Sequence, residues 1–143
     1  EVAIRLRVSA ERPGVLEEPR GRTLHPYGSA SVLLFQAFWS GEERAAYRHR
    51  HPFAEAGAHL WGSVGALDAF LAEARRLGRV SLAPLKGDGV YRAAAPVFGA
   101  GGSLVAALGI SHPDGPGAEE AWPEHVEWMC RAAEGLSTAQ SAI

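Results

Sequence analysis

Six histidines, a single cysteine and several serines are the residues of this chain whose types could support catalysis or metal binding. Cys130 shares the apolar side of a helical stretch with Val126, Met129, Ala133 and Leu136, the setting of an inert core thiol rather than a nucleophile. No Gly-x-Ser-x-Gly turn is present to expose a nucleophilic serine. His49 and His51, in Arg48-His49-Arg50-His51-Pro52, and His59 could offer imidazoles to a metal. Their spacing matches no zinc pattern, and a solvated loop accounts for them. A small metal-dependent enzyme is therefore the weakest reading, with no catalytic or metal-ligating residue assigned; zinc in stoichiometric amount would revive it. Arg92 is of more interest, because it lies in an otherwise apolar strand. A guanidinium facing a closed apolar space needs either a bound anion or a protein carboxylate such as Asp88. His25 and His112 flank the same region and read first as structural histidines, with ligand contact second.

The elements that must position Arg92 follow from local signals. Val2, Ile4, Leu6 and Val8 alternate with polar or small residues, which predicts a half-buried strand ending in a turn at residues 11–14. Residues 15–23 could hold one more strand. Ser29 can cap a buried helix over residues 30–39, where the apolar run leaves no polar face. Ser40 and Glu43 fit a capping box, opening a short charged helix to about residue 50. A loop over residues 51–62 follows. Ser63 can cap a helix with Val64, Leu67, Leu71, Ala74 and Leu77 on one face, stopped at Gly78. Strands are predicted over residues 79–85, 90–98 and 103–111, with turns at 86–89 and 99–102, then a loop and a closing helix that tolerates Pro123 near its start. Short turns join antiparallel strands, so the fold class is α+β: one antiparallel sheet with helices packed on it.

Length and composition agree. A chain of 143 residues fits one domain, and 47% hydrophobic with 21% charged residues is ordinary globular usage. A net charge of −2 gives no support for nucleic-acid binding by this chain. One cysteine cannot form an internal disulfide, which points to a reducing, cytoplasmic setting. No apolar run approaches the roughly 18 residues of a membrane span. The chain opens on Glu1 and its sole methionine is Met129, so it reads as a domain excised from something longer.

The hairpin's alternation divides its residues between two faces. Tyr91, Ala93, Ala95 and Val97, with Leu104, Ala106, Leu108 and Ile110, form a greasy face to be packed under helices. Val90, Arg92, Ala94, Pro96 and Phe98, with Ser103, Val105, Ala107, Gly109 and Ser111, form a face of mostly small residues. Small side chains leave room, and Arg92 and Ser111 place donors around it, as a small-ligand site requires. The alternative is that Ala and Gly simply permit close backbone approach while Arg92 is an exposed cross-strand charge. In that case the domain is an oligomerisation module without a ligand, with Trp39, Trp61, Trp122 and Trp128 available for interfaces or for ordinary core packing.

The run Tyr91-Arg92-Ala93-Ala94-Ala95-Pro96-Val97-Phe98, the turn Gly99-Ala100-Gly101-Gly102 and the strand from Ser103 to Ser111-His112-Pro113 closely resemble a signature of the IclR family. Leu24-His25, Leu33-Leu34 in the buried helix, the helix ending at Gly78 and Ala132-Ala133 in the closing helix fall in the family's order. The resemblance implies the C-terminal effector-binding domain of a bacterial transcriptional regulator, with a GAF-like fold spanning residues 1–143. It further implies a small-molecule effector, often a carboxylate or aromatic acid, no cofactor, and a homodimer or homotetramer. DNA would be reached only through an N-terminal winged helix-turn-helix absent from this chain. Carried over residue by residue, the ligand site uses the backbone amides of Gly28 and Ser29. It also uses the sheet-face residues Leu82, Val90, Arg92, Gly109 and Ser111. Where the family shows Thr-Ala-x-Gly-Lys, this chain has Tyr27-Gly28-Ser29-Ala30-Ser31, so Tyr27 is expected to narrow the mouth of the site.

Overall fold

The computed structural model describes residues 2–19 and 22–141. Its centre is a three-stranded antiparallel sheet in the order β3 (Val80–Leu82), β4 (Val90–Phe98), β5 (Leu104–Pro113). The β4–β5 hairpin closes on the glycine turn, and its register is interrupted only between Val97 and Phe98. Strand β3 is shorter than expected: Pro84 follows it, and a single 3-10 turn over Leu85–Gly87 leads into β4. Proline supplies no ladder donor, so the strand stops there.

Helices cover both sides. On one face lie α1 (Ala30–Phe38) and α5 (Val64–Leu77), with Leu33, Leu34, Leu67 and Leu71 buried against Val80, Leu82 and Ala94. On the other lies α6 (Ala118–Ser141), whose Trp122, Val126, Met129 and Ala133 pack on Tyr91, Ala93, Ala95 and Val97. Between α1 and α5 run α2 (Gly41–Arg50), α3 (Phe53–Ala56) and α4 (Ala58–Trp61); the last two occupy the expected loop. The α+β expectation holds.

The caps are the predicted ones. Ser29 accepts from the Val32 amide at 3.5 Å, Ser63 from the Ala66 amide at 3.1 Å, and Gly78 ends α5 at φ +73°. Ser40 and Glu43 form the reciprocal capping box, at 3.1 and 2.8 Å. Each satisfies amides that a helix start leaves unpaired, worth roughly 1 kcal/mol.

The N-terminal expectation is corrected. The alternation over residues 2–8 yields only β1 (Arg7–Ser9), hairpin partner of β2 (Arg12–Glu17), and one isolated bridge from Ala3 to Thr23. Part of the expected turn at residues 11–14 is strand, and residues 20 and 21 of the suspected strand lie outside the described residues. Leu6, Val8 and Leu16 are each more than half exposed. A period of two specifies an extended backbone, not something to bury against.

Candidate functional site

The register gathers the sheet-face candidates. Leu82 pairs with Arg92, and Arg92 with Ser111, so the three form one row across all three strands. The next row inward is Val80, Ala94 and Gly109; the row outward is Val90 with Pro113. Helix α1 comes down at the inner row: a Cβ at Gly109 would lie 2.8 Å from Ser31 Oγ. Helix α1 thus meets the sheet one row inward of Leu82, Arg92 and Ser111.

The turn that starts α1 is fixed by its own bonds. The Ser29 amide donates to the His25 carbonyl at 3.2 Å, and the Tyr27 amide to His25 Nδ1 at 3.1 Å. Ser29 therefore has its amide engaged within the turn, while the amides of Ala30 and Ser31 have no partner among the described residues. Tyr27 does not sit at a mouth. It is fully buried, packs edge-on to Phe53 with centroids 5.5 Å apart, and donates its hydroxyl to the His51 carbonyl. Trp61 Nε1 donates to the Tyr27 carbonyl at 2.8 Å. Burial raises the Tyr27 phenol, keeping it a neutral donor. Gln36, also fully buried, donates from Nε2 to the Pro26 carbonyl at 2.7 Å, a second tie no sequence pattern announced.

Arg92 is half-buried and paired: Nη1 lies 2.7 Å from Asp88 Oδ2 and 3.3 Å from the Val90 carbonyl. Of the two expected fates of its charge, a bound anion or a protein carboxylate, the structure displays the second. Val90 is partly buried and donates its amide to Asp88 Oδ1 at 3.2 Å. Leu82 is buried, whereas Ser111 and Gly109 are exposed along the free edge of β5.

Two histidines meet near the Arg92–Asp88 pair. His25 and His59 stand edge to face with centroids 6.4 Å apart. Partial burial first, then the charges of His59 and Arg92, hold the His25 imidazole below its ordinary value. His25 Nδ1 accepts a hydrogen bond, so the neutral ring carries its proton on Nε2. His59, read in the sequence as part of a solvated loop, is brought here by the folding of α4, a non-local event. His112 goes elsewhere: alternation puts it opposite Ser111, on the α6 face, 5.1 Å from the His125 ring. Among the described residues no three His, Cys, Asp or Glu side chains converge to hold a metal. Burial raises the Cys130 thiol, which keeps it protonated and unreactive.

Two surface hollows are present, neither lined by Arg92 or Leu82. One, of about 390 Å³, runs between β5 and α6 and is lined by Ile110, Ser111, His112, Trp122 and Trp128. The other, of about 530 Å³, is lined by Arg44, Arg48, His49 and Asp68. At Gly109 the missing side chain admits α1, whose Ser31 Oγ would lie 2.8 Å from a Cβ there. No helix among the described residues is long and apolar enough to cross a membrane.

No protein-family model matches the chain, and no curated protein does. Solved structures do. The C-terminal domain of the Escherichia coli transcriptional regulator KdgR superposes with a TM-score of 0.62 at 24% identity, covering 80% of this chain and 70% of that one. Thermotoga maritima IclR gives 0.67 at 21% identity, covering 91% of this chain and 50% of its own. The inducer-binding domain of Acinetobacter PobR, a double mutant complexed with 3-hydroxybenzoic acid, gives 0.60 at 17% identity, covering 78% and 66%. The chain thus spans about half of the Thermotoga protein. Its fold is that of the C-terminal domains of IclR-type transcriptional regulators, and the resemblance carried by the hairpin is borne out at that level. These neighbours are transcriptional regulators, not enzymes.

Proposed function

We propose that this chain is the effector-binding domain, spanning residues 1–143, of an IclR-type transcriptional regulator. It senses a small organic carboxylate, needs no cofactor, catalyses no reaction and acts in the cytoplasm. The reading rests on one observation above others: Leu82, Arg92 and Ser111 form a row next to Gly109, where Ser31 near the start of α1 meets the sheet, in a fold shared with such regulators. Arg92 anchors the carboxylate with its guanidinium fork, and unpaired first-turn amides of α1 add partial positive charge. Gly28 and Ser29 shape that turn, while Val90 and Gly109 border the row. The aromatic acid held by the PobR domain supports the same ligand class. The signal passes to DNA through a winged-helix domain carried elsewhere on the protein, in a homodimer or homotetramer. That requires the effector to prefer one arrangement of the assembly over another.

Calorimetry tests the anchor. Arg92→Ala should weaken 3-hydroxybenzoate or pyruvate by at least about tenfold, the value of a charge-assisted hydrogen bond. Unchanged affinity removes Arg92 from the site.

The close approach of α1 over Gly109 favours a second reading, an oligomerisation module with a filled interior. A thermal-shift screen over acids, aromatics and sugar acids separates the two, since a ligand of the native state raises the melting temperature and a scaffold gives no shift.

A further inference from the structure

Arg92 already holds a carboxylate, and the manner of holding is informative. Asp88 is fixed at both oxygens, Oδ2 by Arg92 Nη1 at 2.7 Å and Oδ1 by the Val90 amide at 3.2 Å. It sits on a turn of unusual backbone: Lys86, Gly87 and Gly89 all adopt positive φ, and Lys86 (φ 50°) is the one non-glycine residue to do so among the described residues. That turn is tied to the end of β5 by the Asp114 amide, which donates to the Gly89 carbonyl at 2.8 Å. The pair is partly open to water, with side chains 26% and 37% exposed, so it can exchange partners.

We propose that Asp88 is an internal stand-in for the effector's carboxylate, competing with it for Arg92 and so setting how tightly, and for what charge, the site binds. This rests on the reading of Arg92 as the anchor. With Asp88 in place the Arg92 end is locally neutral. An incoming anion must displace Asp88 or tolerate a like charge beside it. A ligand without a carboxylate meets no such competition at Arg92 and gains no such bond. Exchange also frees the 85–89 turn from its contact with Arg92 on β4, a change confined to the bound state.

The test is calorimetry with 3-hydroxybenzoate, pyruvate and the neutral 3-hydroxybenzamide on wild type, Asp88→Asn, Asp88→Ser and Arg92→Ala. Asn and Ser both retain an oxygen that can accept the Val90 amide, and circular dichroism checks their folding. Removing the competing charge should tighten binding of the acids about three- to fivefold, the scale of a partly exposed ion pair, and leave the amide unchanged. Equal or weaker binding of the acids by both Asp88 variants, with Arg92→Ala still losing affinity, overturns the role of Asp88 and leaves the anchor standing. Full affinity in Arg92→Ala, or no binding of either acid to wild type at millimolar concentration, overturns the anchor and Asp88's role with it.

Discussion

The two faces of the β4–β5 hairpin are held in opposite ways. Under α6, the sheet meets bulk: Trp122 is buried against Tyr91, with ring centroids 5.4 Å apart, and reaches across to donate from Nε1 to Ser81 Oγ at 3.0 Å. Under α1, the sheet meets absence: Ala94 is fully buried and Gly109 leaves the space that Ser31 fills. Both faces bury large side chains, Leu33, Leu67 and Leu71 among them on the α1 side; what sets that side apart is the close approach of Ser31 at Gly109. Polar chemistry gathers where the close packing ends, in the row of Arg92 and Ser111.

The largest expected effect comes from removing mass on the α6 side. Trp122→Ala should destabilise the domain by about 3–5 kcal/mol, from lost apolar burial and the cavity left behind. Trp122→Phe should recover most of it. Chemical denaturation measures both; a loss below about 1 kcal/mol for the alanine variant would mean that α6 is not held by its aromatic contact.

Adding mass on the α1 side should cost less, but with a sharper signature. In Gly109→Ala the new methyl group meets Ser31 Oγ at 2.8 Å, inside contact distance, while the next neighbour, the Ala93 carbonyl, is at 3.6 Å. Gly109 is exposed and the obstructing atom ends a rotatable side chain, so the cost should be at the low end for overpacking, about 1 kcal/mol or less. Ser31→Ala removes the obstructing oxygen, so Gly109→Ala should be nearly neutral in that background. Additive penalties in the double variant would show that closeness of α1 is not what requires glycine there.

The same contrast explains what could be read from the sequence. Ser29, Ser40, Ser63 and Gly78 act within one turn of chain, and each was legible. The hairpin was legible too, because a period of two and a glycine turn together fix which residues share a face. Residues whose roles depend on distant partners were not. Leu6 and Val8 alternate like buried strand residues, yet nothing local reveals whether a surface awaits them. Tyr27 was expected at the mouth of the site, but its direction depends on Phe53, His51 and Trp61, which come 24 to 34 residues later. The pairing of Arg92 with Asp88 could be anticipated as one of two outcomes because the partners are four residues apart. The meeting of His25 with His59 could not.

That last pair gives the smallest expected effect, and it bears on the polar end of the α1 face. The His25 imidazole is held below its ordinary value of 6.5 by partial burial, by His59 and by Arg92. In the unfolded chain it returns to that value, so between the lowered value and 6.5 the unfolded state binds more protons than the native one. Its contribution to stability is therefore complete above 6.5 and is lost as pH falls through the interval. Melting temperatures followed from about pH 7.5 down to about pH 5.5 should decline less steeply for His25→Gln than for wild type. Glutamine can still accept the Tyr27 amide through its side-chain oxygen, so the turn before α1 is retained. Parallel declines would mean that the ring gains its proton without opposition from burial, His59 or Arg92.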